Sequence, residues 1–202
     1  MRMVWASDQS LLVRELDDAL GLFHALRRTL GEAPGVTDLS PARRSLLVRF
    51  DLRVTDHETV ERWVRDASLD SQAPFAGKRV EIGVRYDGPD LAEVAAAAGL
   101  SKEEVVAMHS GVEYIAYFLG FAPGFAYLGD VPDALAVVGR RATPRIAVPA
   151  GSVGIAGKQT GVYPAALPGG WNLIGTTDAV MFDETSGTPL VEPGDRVRFI
   201  PL

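Results

Sequence analysis

Apolar positions recur along the first part of the chain with two different periods. Along and just ahead of residues 17–30, Leu16, Leu20, Phe23, Leu26 and Leu30 fall three and four apart, which is one face of an amphipathic helix. Gly31 follows where a helix C-cap is expected. Ahead of this helix, Ser10 to Arg14 is a short apolar run suited to a strand. After the turn sequence GEAPG, residues 36–39 and 45–51 (SLLVRFD) read as two strands, with Ser40 and Pro41 near the bend. Thr55 and Glu58 stand at capping-box spacing, and Val60, Trp63, Val64 and Ala67 continue as a second helical face. A loop with Pro74 and Gly77 leads to Val80, Ile82 and Val84, which alternate with polar or small residues like a half-buried strand. The order strand, helix, strand, strand, helix, strand predicts a split βαβ, ferredoxin-like α+β domain over residues 1–85.

The pattern changes at DGPD, residues 87–90. Pro89 suits a first helical turn, Leu91, Val94, Ala95 and Ala98 form an apolar side, and Gly99 ends it. Ser101 and Glu104 make a second capping box, so SKEEVVAMHS predicts a short helix ending near His109 and Gly111. From Val112 onward no helical period remains, and 14 of the 21 glycines lie at or beyond Gly111. Residues 114–175 are punctuated by Gly and Pro every few positions, which excludes a long helix and predicts short strands joined by tight turns. VEPGDRVRFI signals a last strand pair through a Pro-Gly turn followed by alternation. Residues 86–202 are therefore expected to form a β-barrel with two leading helices, the whole chain being α+β.

Composition narrows the function. A length of 202 residues suits one domain or two small ones, each able to bury a core. A formal net charge of -6 with no basic run argues against a nucleic-acid partner. Zero Cys excludes disulfides, a thiolate nucleophile and Cys-ligated metal. The N-terminal MRMVWASDQSLLVRELDD becomes charged too soon for a signal-peptide core, and no stretch approaches the ~20 apolar residues of a membrane span, so cytoplasmic residence without membrane contact is expected.

Candidate chemistry concentrates in the glycine-rich half. GIAGKQT resembles a Walker A loop but has Ser152 where the first Gly belongs and Gln159 where the magnesium-binding hydroxyl belongs. Lys158, Gln159 and Thr160 can still offer a cation, an amide and a hydroxyl to an anionic or amide ligand, or form a solvated hairpin tip. His109 is either a helix terminator favoured by the dipole or a general acid or base. Arg145 can clamp a carboxylate or form a surface ion pair. Tyr117, Phe121, Phe125, Tyr127, Tyr163 and Trp171 can build a core, a pocket wall or both. Ser152 has no nucleophile-elbow context, and no His and acidic residues have metal-ligand spacing. No metal is expected, and an unaided hydrolase is hard to build from this set.

The strings YFLGFAPGFAYLGDVP, TPRIAVPAGSVGIAGKQTGVYP and PGGWNLIGTT resemble the KipI / allophanate hydrolase subunit 1 family, which includes the 5-oxoprolinase B subunit. YDGPDLAEVAAAAGLS, followed by His109, is similar to the family's approach to its second domain, and together these strings cover most of residues 80–180. Two positions depart from the family pattern: Thr176 stands where Arg is usual, and Gly139 where Pro is usual. The resemblance implies a small α+β domain followed by a cyclophilin-like, carboxyltransferase-type barrel. It implies work beside the 5-oxoprolinase C subunit (KipA-like, allophanate hydrolase subunit 2) and an A subunit of LamB/YcsF type. The implied activity is ATP-dependent opening of 5-oxoproline to L-glutamate, with ATP and Mg bound by the assembled complex or by this chain. Carried onto this sequence, it suggests His109, Arg145 and Lys158 as catalytic, with Arg145 on a carboxylate and His109 on protons. Ser152, Gln159, Thr160, Tyr163, Pro164 and Trp171 would contact substrate, and Tyr117, Phe121, Pro123 and Phe125 would wall the pocket. Two alternatives stay open: a KipI-like inhibitor of a sensor histidine kinase, and an allophanate- or urea-amidolyase-related subunit.

Overall fold

The structure, a computed structural model, describes residues 1–30, 34–70 and 77–202. By internal contact the chain divides into two compact units, Met1–Ala76 and Gly77–Leu202.

The first unit contains β1 (Arg2–Ser7), β2 (Ser10–Arg14), α1 (Ala19–Leu30), β3 (Val36–Pro41), β4 (Ser45–Phe50) and α2 (His57–Asp70). Its four strands form one antiparallel sheet in the order β1-β2-β4-β3. The alternating Leu11, Val13, Leu46 and Val48 meet Leu22 and Leu26 of α1 and Val60 and Val64 of α2 in a shared core. Asp18 Oδ1 accepts the Gly21 N–H at 2.7 Å and Asp56 Oδ1 accepts the Thr59 N–H at 2.8 Å, so aspartates cap both helices. The α2 cap is thus Asp56 rather than Thr55. Gly31 and Pro74 lie outside the described residues.

Two features differ from the split βαβ expectation. β1 is an additional edge strand with mostly exposed residues, so it carries no apolar alternation to read. The strand expected to complete this domain belongs instead to the second unit. β1 takes the edge beside β2 that a split βαβ sheet gives to its last strand.

The second unit is built on β5 (Arg79–Val84), α3 (Leu91–Ala98), α4 (Lys102–Ser110), β6 (Glu113–Leu119), β7 (Ala126–Gly129), α5 (Asp133–Ala136), β8 (Arg145–Val148), β9 (Ser152–Ala156) and β10 (Gln159–Val162), followed by β11 (Leu167–Gly169), β12 (Asn172–Thr176), β13 (Phe182–Asp183), β14 (Thr188–Pro189) and β15 (Arg196–Pro201). Seven strands form one sheet in the order β12-β9-β10-β7-β6-β15-β5. Arg85 and Thr176, just past β5 and at the end of β12, exchange two backbone hydrogen bonds of 2.9 and 2.8 Å. This bridge brings the sheet's two edges together, so the sheet is a nearly closed barrel. Ile82, Val84, Leu128, Ile155, Val197 and Phe199 point into its core.

The expected helices are both present. Gly99 caps α3 in the left-handed region, and the Ser101–Glu104 capping box opens α4 with both reciprocal bonds made. The last strand is not half of a hairpin. β15 runs antiparallel to β6 and parallel to β5, and the β5 partners lie more than a hundred residues earlier in the chain. The turn before it is held by buried Asp195, which accepts N–H groups from Glu192 and Lys78. The division of the chain accordingly falls between Ala76 and Gly77, not after residue 85.

Candidate functional site

A second, smaller apolar cluster of Phe125, Val148, Ala156, Tyr163, Trp171 and Leu173 stands apart from the barrel core. Phe125 is its hub, meeting Phe121, Tyr127, Tyr163 and Trp171 edge-on at centroid distances of 5.4, 5.0, 5.3 and 5.3 Å. The rings come from different strand ends: Phe121 and Phe125 from the β6–β7 loop, Tyr127 from β7, Tyr163 after β10 and Trp171 before β12. They wall an open cleft of about 290 Å³ completed by Arg140, Pro144, Pro168, Gly169 and Gly170. That volume is at the small end of ligand sites.

Local chain geometry explains the cleft's shape. A Cβ on Gly169 would lie 2.2 Å from the Tyr163 hydroxyl, so only glycine lets the tyrosine ring lie against β11. Phe121 is 56% exposed and has φ of 72°, an uncommon conformation that costs a non-glycine residue of order 1 kcal/mol. Turn bonds from Ala122 N–H to Gly120 O and from Phe125 N–H to Ala122 O hold it there. Burial raises the hydroxyl pKa of Tyr127 and Tyr163, and the positive charge of Arg140 opposes the shift on both.

The loop carrying Arg140 is fastened on either side. The Asn172 side chain donates to the Gly139 carbonyl at 2.7 Å, and the Arg141 N–H donates to the Gly170 carbonyl at 2.8 Å. Beneath it lies Asp90, a carboxylate only 3% exposed. Asp90 accepts from Arg141 Nη1 at 2.9 Å, Arg145 Nη2 at 2.7 Å and the Leu173 N–H at 2.7 Å. Arg145 Nη2 is thus engaged by an internal carboxylate rather than lining the cleft, while its buried Nη1 has no hydrogen-bond partner among the described residues. Sequence reasoning missed Asp90 and Arg140. Three arginines within the six residues 140–145 of an otherwise apolar, glycine-rich region were the available signal.

His109 also proves to be internal. It is 0% exposed, stacked on Phe199 at 4.6 Å and beside Tyr114 at 5.4 Å. Its Nε2 lies 2.8 Å from Thr160 Oγ1, and its Nδ1 lies 2.8 Å from the Tyr86 hydroxyl. Thr160 Oγ1 donates to the Gly154 carbonyl, so it accepts from Nε2–H and leaves Nδ1 to accept from Tyr86. Burial pushes the His109 pKa down to about 3. A neutral ring with both nitrogens engaged inside the barrel cannot exchange protons with a ligand, so the acid–base expectation is corrected to a structural role.

The β9–β10 hairpin separates the remaining candidates. Thr160 points into the barrel, while Lys158 is exposed and pairs with Asp133 at 2.7 Å, which holds the Asp133 carboxyl below its ordinary value. Gln159 begins β10 opposite Ala156. Ser152 is buried and paired with Thr176 across β9 and β12. The Tyr117 hydroxyl donates to Asp130, and neither Tyr117, Pro123 nor Pro164 is among the residues lining the cleft. Thr176, the departure from the family pattern, donates to Asp87. The structure therefore gathers Phe121, Phe125, Tyr163 and Trp171 from the expected set and leaves His109, Arg145, Lys158, Gln159, Thr160 and Ser152 outside the cleft. Among the described residues, no three His, Asp or Glu side chains converge as a metal site, and no helix is long and apolar enough to cross a membrane.

Comparison with known proteins agrees with the resemblance read from the sequence. The chain is 46% identical over 185 residues to the 5-oxoprolinase B subunit of Escherichia coli O157:H7, covering 87% of this chain and 83% of that protein. Two further curated relatives with the same name, from Bacillus subtilis and Haemophilus influenzae, are each 40% identical. Among solved structures, TTHA0988 superposes with a TM-score of 0.84 at 40% identity over 96% of this chain, which spans 40% of that longer chain. The Kluyveromyces lactis urea carboxylase shares the fold, with a TM-score of 0.70 at 19% identity over 99% of this chain and 21% of that one. The family described as carboxyltransferase domain, subdomain C and D, matches residues 1–191, and the chain belongs to that family.

Proposed function

We propose that this chain is one component of a multi-subunit hydrolase that opens 5-oxo-L-proline to L-glutamate at the expense of ATP, and that its aromatic cleft holds the lactam. The observation carrying this reading is the 40–46% identity to three 5-oxoprolinase B subunits along most of the chain. The cleft supports it, because edge-on aromatic walls with tyrosine hydroxyls suit a small ring that carries polar atoms on its rim. Partner subunits of the C type (KipA-like, allophanate hydrolase subunit 2) and the A type (LamB/YcsF) belong to the same proposal.

A lactam amide is a poor electrophile, and ATP would supply the phosphoryl group that turns its oxygen into a leaving group. The residues of the GIAGKQT turn do not fit a nucleotide cradle. In GIAGKQT the lysine is paired with Asp133 and the threonine is bonded inside the barrel, and a β-strand rather than a helix follows the turn. This favours ATP and its magnesium being bound by the assembled complex rather than by this turn. The part left to this chain is binding: the rings exclude water from the amide face, and the fixed strand ends keep their spacing constant.

The test is reconstitution with the C-type and A-type subunits, measuring 5-oxoproline-dependent ATP hydrolysis and glutamate release with each component omitted in turn. Loss of glutamate when this chain is left out is the expected result. An intact, folded assembly that is inactive on 5-oxoproline but active on urea or allophanate would move the reading to the urea-related branch.

A further inference from the structure

The cleft has one cation on its wall, and its position is unusual. Arg140 lines the cavity together with aromatic, proline and glycine residues and without any acidic side chain. The two residues that flank it are tied down, Gly139 by Asn172 and Arg141 by both the Gly170 carbonyl and Asp90. Its neighbours Arg141 and Arg145 are each ion-paired, Arg141 with Asp90 and Glu93 and Arg145 with Asp90. Arg140 itself has no hydrogen bond or ion pair among the described residues. Arg140 is exposed at the cleft edge on a fastened loop, and a guanidinium there without a carboxylate partner is open to an anion, whose carboxylate its planar fork matches.

We propose that Arg140 is the carboxylate anchor of the aromatic cleft, so that the site accepts small cyclic amides bearing a carboxylate and rejects their uncharged counterparts. This rests on the reading of the cleft as the lactam site and adds to it the residue that sets specificity. The amide ring would lie against the Phe125, Tyr163 and Trp171 wall while its carboxylate reaches the cleft edge where Arg140 stands. Arg145, the residue that sequence reasoning favoured for this task, instead works through Asp90 to hold the loop.

The test uses the full chain and two probes that differ only in the carboxylate, 5-oxo-L-proline and 2-pyrrolidinone, titrated calorimetrically. The wild-type chain should bind the carboxylate-bearing lactam and discriminate against 2-pyrrolidinone. Arg140→Ala should weaken 5-oxo-L-proline binding by about 10- to 100-fold and erase the discrimination, whereas Arg140→Lys should restore part of it. A structural role would not produce this pattern, since loss of fold would weaken both probes and lysine would not rescue one of them. The proposal is overturned if wild type binds neither probe or binds both alike, or if Arg140→Ala binds 5-oxo-L-proline as wild type does. Turnover in the reconstituted assembly separates the two claims. Normal activity with Arg140→Ala would defeat the anchor and leave the hydrolase reading standing. Arginine-dependent carboxylate binding in an assembly that releases no glutamate would do the reverse.

Discussion

At the scale of single residues, His109 shows how far a side chain's environment can reverse its chemistry. On the sequence it is the near-neutral titrating group of the glycine-rich half, at a helix C-terminus where a cation is favoured. In the structure it is a neutral hydrogen-bond relay between Tyr86 and Thr160, held to a pKa of about 3 by burial. The unfolded chain takes up this proton near the ordinary value of 6.5 and the folded chain does not until about 3, so stability is full above 6.5 and falls as pH drops below it. Urea denaturation at about pH 7.5 and about pH 5.5 should show wild type losing up to ~1.4 kcal/mol per pH unit more than His109→Gln, which lacks the titrating ring. Equal losses would mean that the ring is not buried neutral. The helix end was legible at this position. The aromatic and hydroxyl partners were not, because they come from residues 86, 160 and 199.

At the scale of elements, local signals were read well and pairings poorly. The Ser101–Glu104 box and the Gly99 cap depend only on neighbours within a turn, and both were visible in the sequence. The strand at residues 79–84 was visible too, but its parallel partner is β15 at the far end of the chain, and alternation says nothing about which edge a strand joins. The same limit hid Asp90, which looked like part of a helix-opening DGPD turn. It proves to fasten the arginine-bearing loop and β8 to β12, through three bonds to residues 51 to 83 positions away. Removing this carboxylate strands two partly buried guanidinium groups. Asp90→Ala should therefore cost about 3 kcal/mol in denaturation, and Asp90→Asn, which keeps an acceptor, distinctly less. A loss within ~0.5 kcal/mol for Asp90→Ala would show that the loop is held by other contacts.

At the scale of the whole molecule, each of the two units has its own core, and the sheet of the second closes only with β5 included. A fragment beginning at Gly77 should fold with a cooperative thermal transition. A fragment beginning at residue 86 should not, because it lacks the strand that pairs with all six residues of β15 and the Arg85 bridge that closes the barrel. If both fragments fold alike, β5 is dispensable and the closure described above is not what stabilises the barrel. The composition of this half, rich in glycine and short apolar runs, announced a barrel, and the resemblance of its motifs announced the family. Neither could announce which groups line the cleft, since Tyr163 and Lys158 are similarly near in sequence to Thr160 yet only Tyr163 reaches it.

The central claim is that the cleft walled by Phe121, Tyr127, Tyr163 and Trp171 is where this chain meets its small-molecule ligand. The most direct test is to titrate the isotopically labelled full chain with 5-oxo-L-proline and map the backbone and indole amide shifts by NMR. Saturable shifts concentrated at Phe121, Tyr127, Arg140, Gly169 and Trp171 are the predicted result. Saturable shifts centred on the Lys158–Gln159 hairpin, with the cleft unmoved, would contradict it and return the site to the GIAGKQT motif.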